Sequence, residues 1–155
     1  LTNSKHEKRN YTNLLGNCLI GTALVVFGQI YASACTICAA FADTFSSEIG
    51  KLSKVKPRLI TNFKEVEHGT NGGITVLGLL GALLVSGFTF ALFYFVFGVG
   101  LDTALVVSLA GMLGTLADSV IGALLENKGY IDNAQTNFLT TLVIGCLAVL
   151  VFGLG

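Results

Sequence analysis

Charge is what this sequence has least of. Only 12% of its 155 residues are Asp, Glu, Lys or Arg, and 53% are hydrophobic. Soluble domains carry about 25% charged residues, so a chain wetted on all sides is excluded. Tryptophan is absent, and the one proline, Pro57, stands in a polar stretch where it interrupts no apolar run. Zinc ligands are short as well. Cys35 and Cys38 stand at CxxC spacing in "CTIC", but no second CxxC and no His pair completes a site. The motif lies inside an apolar run and reads as small packing residues. Residues 1–10, "LTNSKHEKRN", are polar and unlike a signal peptide. Nine cations balance nine carboxylates, and no nucleic-acid partner is expected.

What is present is a series of long apolar runs. Residues 74–101 and 134–155 hold no charge, and 103–125 hold one, Asp118. Each can cross a bilayer, which takes about 20 residues. Residues 10–42 form a further uncharged run of 33. As one helix this would reach about 50 Å, too long for a hydrocarbon core of about 30 Å. Extended to Gly50 it makes two spans with a turn at Gly28-Gln29. The expectation is a single all-α, polytopic transmembrane domain over 1–155, with helices at about 12–28, 30–50, 73–97, 102–126 and 134–154. This count puts all nine Lys and Arg on one side. The positive-inside rule then makes the N-terminus and the basic 51–72 loop cytoplasmic. Nineteen glycines suit close helix packing. The oligomeric state is left open.

Carboxylates inside such runs are expensive, about 2.5–3.5 kcal/mol each on insertion scales, and point to function. Ala42-Asp43-Thr44 and Ala117-Asp118-Ser119 sit late in two helices that run toward the basic side, each followed by a polar loop and an Asn-rich stretch. This reads as a weak internal helix–loop–helix repeat. Asp118, Gly122 and Glu126 share a helix face by their spacing, as do Thr44 and Glu48. The loop carries Lys56, Arg58 and Lys64 and ends in "HGTNGG". Thr70, Asn71, Gly72 and Gly73 at a helix start would offer backbone N–H groups to an anion, although an ordinary N-cap accounts for Thr70 or Asn71 equally well. The stretch is neither a Walker A motif nor a dinucleotide fingerprint. Together these parts suit phosphoryl transfer. Asp43, Glu48, Asp118 and Glu126 would supply carboxylates for Mg²⁺, Asn71, Asn133 and Asn137 amides, and Lys56, Arg58 and Lys64 phosphate partners. A secondary transporter with paired carboxylates, a purely structural membrane protein, and an enzyme forming a CDP-lipid are the competing readings.

"ADTFSSEIG", "KPRLIT" with "HGTNGG", "GMLGTLADSVIGALLE" and "GYIDNAQTNFLTT", in this order, resemble one integral-membrane family. It includes the plant and cyanobacterial phytyl-phosphate kinase of vitamin E synthesis and many archaeal and bacterial members. The resemblance covers roughly residues 10–150. It implies a Mg²⁺-requiring kinase that uses a nucleoside triphosphate, CTP first, to convert an isoprenyl monophosphate to its diphosphate. The family usually has Trp where Phe45 stands here. Its members also usually carry further helices upstream, so the chain reads as truncated at its N-terminus.

Overall fold

A computed structural model describes residues 11–153. Five helices follow in chain order: α1 (Tyr11–Val26), α2 (Ile30–Gly50), α3 (Val76–Ala91), α4 (Leu101–Ile121) and α5 (Asn133–Phe152). The chain is an all-α membrane bundle. α1 and α2 part at Gly28, whose φ of 76° a glycine adopts without strain. α3 and α4 each end in one wider π turn, Leu92–Val96 and Gly122–Glu126. The one sheet among the described residues is a two-residue antiparallel pair, β1 (Arg58–Leu59) with β2 (Gly73–Ile74).

The bundle is apolar outside and small and polar inside. Leu83, Leu84 and Phe88 of α3, Leu109 and Leu113 of α4, and Leu147 and Leu150 of α5 are all exposed. The buried side chains are mainly Ala, Ser, Thr and Cys. Lipid is as apolar as leucine, so helices associate by close approach of small residues instead. α2 shows this best, for it packs against all four other helices. Ala32, Ser33, Cys35, Thr36, Cys38, Ala39 and Ala42 form its buried faces. Gly114 of α4 lies so close to Ala39 that a Cβ there would collide with it, and Gly111 lies likewise against Cys38 and Ser86. Cys35 and Cys38 are buried free thiols in this packing.

Three helices are individually long and apolar enough to cross a membrane: Val76–Val96, Leu101–Glu126 and Asn133–Phe152, each with its π turn where it has one. α2, at 21 residues, has the length, about 31 Å, but carries Asp43, Ser46, Ser47 and Glu48 and is sheltered by its neighbours. α1 is a shorter apolar helix of 16 residues. Lys5, Lys8 and Arg9 of the charge argument lie outside the described residues. Tyr11, Gly50, the 68–75 segment and Asn133 border one cavity, so the starts of α1, α3 and α5 and the end of α2 lie at the same end of the bundle.

α3 begins three residues later than expected. Gly73 and Ile74 are drawn into β2 by pairing with Leu59 and Arg58, which keeps them extended. Thr75 is the N-cap, its hydroxyl accepting from the Gly78 N–H at 3.0 Å. Neither Thr70 nor Asn71 caps a helix: the Thr70 hydroxyl donates to the Glu67 carbonyl at 2.8 Å.

Candidate functional site

A cavity of about 640 Å³ opens at this end of the bundle, a size usual for ligand sites. α2 contributes Asp43, Thr44 and Ser47; α4 and its π turn contribute Asp118, Ser119, Gly122 and Glu126; α5 contributes Asn133 and Asn137; and the turn before β2 contributes Thr70, Asn71 and Gly72, with Gly73 of β2 itself. Four segments distant in sequence thus bring most of the expected residues to one space.

The two acidic groups that α4 and its π turn bring to the cavity, Asp118 and Glu126, are held from α5. The Thr140 hydroxyl donates to the Asp118 carboxylate at 3.1 Å, and the Thr136 hydroxyl to the Glu126 carboxylate at 2.9 Å. The two threonines are four residues apart, hence one above the other on a helix face, and both are buried. α5 itself is fixed by Asp132, which accepts from the Gln135 N–H at 2.8 Å while the Gln135 side chain accepts from the Asp132 N–H at 3.0 Å. This reciprocal capping box puts Asn133 in the first turn. The cavity is therefore bordered by two helix starts, at Thr75 and at Asn133, whose dipoles favour anions, with one N–H of each already held by its cap, Thr75 or Asp132.

The "GTNGG" turn is clamped onto α4. Asn127 Nδ2 donates to the Asn71 carbonyl at 2.7 Å. Gly72 has φ 76°, and a Cβ on it would strike the Ser119 carbonyl and Ala123. Only glycine fits both the backbone and the space.

Glu48, Lys56, Arg58 and Lys64 are placed elsewhere. Glu48 is exposed and pairs with Lys51 at 2.8 Å, and Lys51, not Glu48, lines the cavity. Lys56 pairs with Glu67 at 2.6 Å and Arg58 with Glu65 at 3.4 Å on the outer side of the loop. The hydrogen bond between Lys56 and Glu67 holds the lysine above and the carboxyl below their ordinary ranges. Lys64 lines no part of the cavity. A loop folded into strands spends its cations on its own glutamates, which residue counting does not reveal. The cavity's basic residues are instead Lys51 and His68. Asn13 and Asn17 of α1 also line it; their signal was two amides four apart in an otherwise apolar helix.

Among the described residues, no three His, Cys, Asp or Glu side chains cluster closely enough to form a metal site of their own. The donors present are carboxylate and amide oxygens, the hard ligands Mg²⁺ takes, and Mg²⁺ is usually held by one or two carboxylates with water and substrate phosphate completing its shell. The donor set fits that mode.

No solved structure is significantly similar to this chain. It is 43% identical over 151 residues to uncharacterized membrane protein MJ0933 of Methanocaldococcus jannaschii, covering 93% of this chain and 63% of that one. It is 46% identical over 100 residues to Protein PGR of Arabidopsis thaliana, covering 57% and 34%. To Protein VTE6, chloroplastic, of the same plant it is 32% identical over 118 residues, covering 74% and 35%. The chain thus spans less than two thirds of the length of each of these relatives. The sequence pattern of the family described as integral membrane protein DUF92 matches residues 1–145, and the chain belongs to that family.

Proposed function

We propose that this chain carries a Mg²⁺-dependent kinase site at the cytoplasmic membrane boundary, transferring the γ-phosphoryl group of a nucleoside triphosphate, CTP first, to an isoprenyl monophosphate. The observation that carries the reading is that Asp43 and Asp118, on two different helices, line one cavity together with Asn71, Asn133, Asn137 and two helix starts. Carboxylates beside anion-favouring groups make sense where a cation and a phosphate are bound together. The resembled family, with its phytyl-phosphate kinase, supplies the substrate class.

In this reading Asp43 and Asp118 would hold the metal, Glu126 lines the same cavity, and a bound Mg²⁺ would neutralise charge on the transferring phosphate. Lys51, His68 and the two helix starts orient the phosphates; the Gly73 N–H is taken by the Thr70 carbonyl at 3.0 Å. A prenyl monophosphate is largely dianionic at neutral pH, since its second pKa is about 6, so no general base is required. Its oxygen attacks the γ-phosphorus, the bond from that phosphorus to the β–γ bridging oxygen breaks, and the nucleoside diphosphate leaves with the electron pair. Thr136 and Thr140 keep the carboxylates aimed. Leu14, Ile74 and Leu79 give the cavity wall its apolar part.

The test is product analysis with the purified chain, phytyl or geranylgeranyl monophosphate, and CTP labelled at either the α- or the γ-phosphorus. A kinase moves only the γ label into lipid. Transfer of the α label instead would identify a CDP-lipid-forming enzyme, and no transfer of either label contradicts both.

A further inference from the structure

The loop between α2 and α3 has a second feature, which adjoins the cavity across Ile74, Thr75 and Leu79. Its outer face and the first turns of α3 enclose a groove of about 470 Å³. Val76, Leu77 and Leu80 of α3 form the floor, and Val55, Phe63 and the Lys56–Arg58 pair form the loop side. The floor continues directly into Leu83 and Leu84, the outward apolar surface of a helix able to cross the membrane. The groove therefore stands where the hydrocarbon ends and headgroups begin.

Phe63 makes the groove unusual. It is the only non-glycine described residue with positive φ, at 57°, a rare conformation for a bulky side chain. The turn holds it there: the Phe63 N–H donates to the Leu59 carbonyl at 2.8 Å, the Leu59 N–H to the Lys64 carbonyl at 2.9 Å, and the Lys64 N–H to Asn62 Oδ1 at 3.0 Å. Phe63 is 63% exposed, and Val55 on the same side of the groove 71%. In water such a strained, exposed aromatic would be a liability; at a bilayer surface it is an anchor. Lys56 and Arg58 line the groove with it. Lys54, Lys56, Arg58 and Lys64 share this loop, against Glu65 and Glu67, which leaves an excess of positive charge. The two ion pairs are exposed and so contribute little, and a phosphate can displace either glutamate.

We propose that this groove docks an anionic phospholipid of the surrounding bilayer, its phosphate between Lys56 and Arg58 and one acyl chain along Leu77, Leu80 and Phe63. The groove shares Ile74, Thr75 and Leu79 with the cavity wall, but Lys56, Arg58 and Phe63 line the groove alone. It would hold the loop, and with it the clamped Asn71–Gly72 turn, at a fixed depth.

Because the chain has no tryptophan, Phe63→Trp introduces a single reporter at the groove. The purified chain is placed in nanodiscs containing brominated phosphatidylglycerol or, at equal mole fraction, brominated phosphatidylcholine. The anionic lipid should quench the indole more strongly. The preference should fall about fivefold for each cation removed by Lys56→Gln and Arg58→Gln. Equal quenching by the two lipids, or a preference that survives both substitutions, overturns the proposal. No quenching by either lipid would put the ring in water, as a docking face for a soluble partner, and overturns it too. Relief of quenching by low concentrations of a prenyl monophosphate would assign the groove to substrate rather than to bilayer lipid.

Discussion

The Thr140 hydroxyl of α5 donates to the Asp118 carboxylate of α4 across 3.1 Å, and one turn earlier Thr136 does the same for Glu126. These bonds tie the helix that carries two acidic groups to the helix that carries Asn133 and Asn137. They also give each carboxylate a partner that lipid cannot supply.

Removing such a donor should be felt. Thr140→Val keeps the shape and loses the hydroxyl, at a cost of about 1.5–3 kcal/mol when the acceptor is charged. Its melting temperature should fall, Thr140→Ser should restore most of it, and the penalty should shrink in an Asp118→Asn background, where the acceptor is neutral. Equal penalties in both backgrounds would show that the pair is not coupled.

Two glycines in one loop offer a controlled comparison. Gly72 and Gly69 both have positive φ, but a Cβ on Gly69 meets nothing within 4 Å, whereas on Gly72 it strikes α4. Alanine pays about 1–2 kcal/mol for the left-handed backbone at either site. Gly72→Ala should therefore lower the melting temperature clearly more than Gly69→Ala, and should also weaken ligand binding by displacing Asn71. Equal shifts would mean that the clamp onto α4 contributes nothing.

The cations divide by location. Lys51→Gln should raise the apparent KM for nucleotide, since Lys51 lines the cavity. Lys56→Gln, Arg58→Gln and Lys64→Gln together should leave that KM near the parent value, and the fold intact, because exposed charges contribute little to stability. A large KM effect in the triple variant with none in Lys51→Gln would move phosphate binding to the loop's outer face.

Orientation has its own check. The positive-inside rule predicts a cytoplasmic basic loop, so Lys54→Cys, at an exposed position, should resist an impermeant maleimide in intact cells and react once the membrane is opened. Labelling in intact cells would invert the topology.

The helices were legible because crossing lipid leaves little choice: about 20 apolar residues, no charge, and a glycine where the chain must turn back. Gly28 marked the α1–α2 boundary for that reason. Asp43 and Asp118 stood out because a carboxylate in an apolar run demands an explanation. The loop was harder to read. Its pairing of Arg58 with Ile74 and Leu59 with Gly73 joins residues about fifteen apart, and no local pattern encodes it. That pairing delayed α3 to Val76 and turned Lys56 and Arg58 outward to Glu67 and Glu65. Asn13 and Asn17 lay in an apolar helix whose role at the cavity depends on α1 meeting α5, a contact set by Gly16 against Ala134.

The central claim is that Asp43 and Asp118 act on one metal–phosphate complex from two helices. Asn matches Asp in shape and lacks its charge. The most direct measurement is a pair of melting curves, with and without Mg²⁺ and CTP, for the parent chain, Asp43→Asn and Asp118→Asn. The account predicts that without ligand both variants melt at or above the parent temperature, since a carboxylate costly to bury has been neutralised, and that both lose the stabilisation Mg²⁺–CTP gives the parent. Variants that melt lower without ligand yet are stabilised by Mg²⁺–CTP as fully as the parent would contradict it, and would make the two aspartates structural.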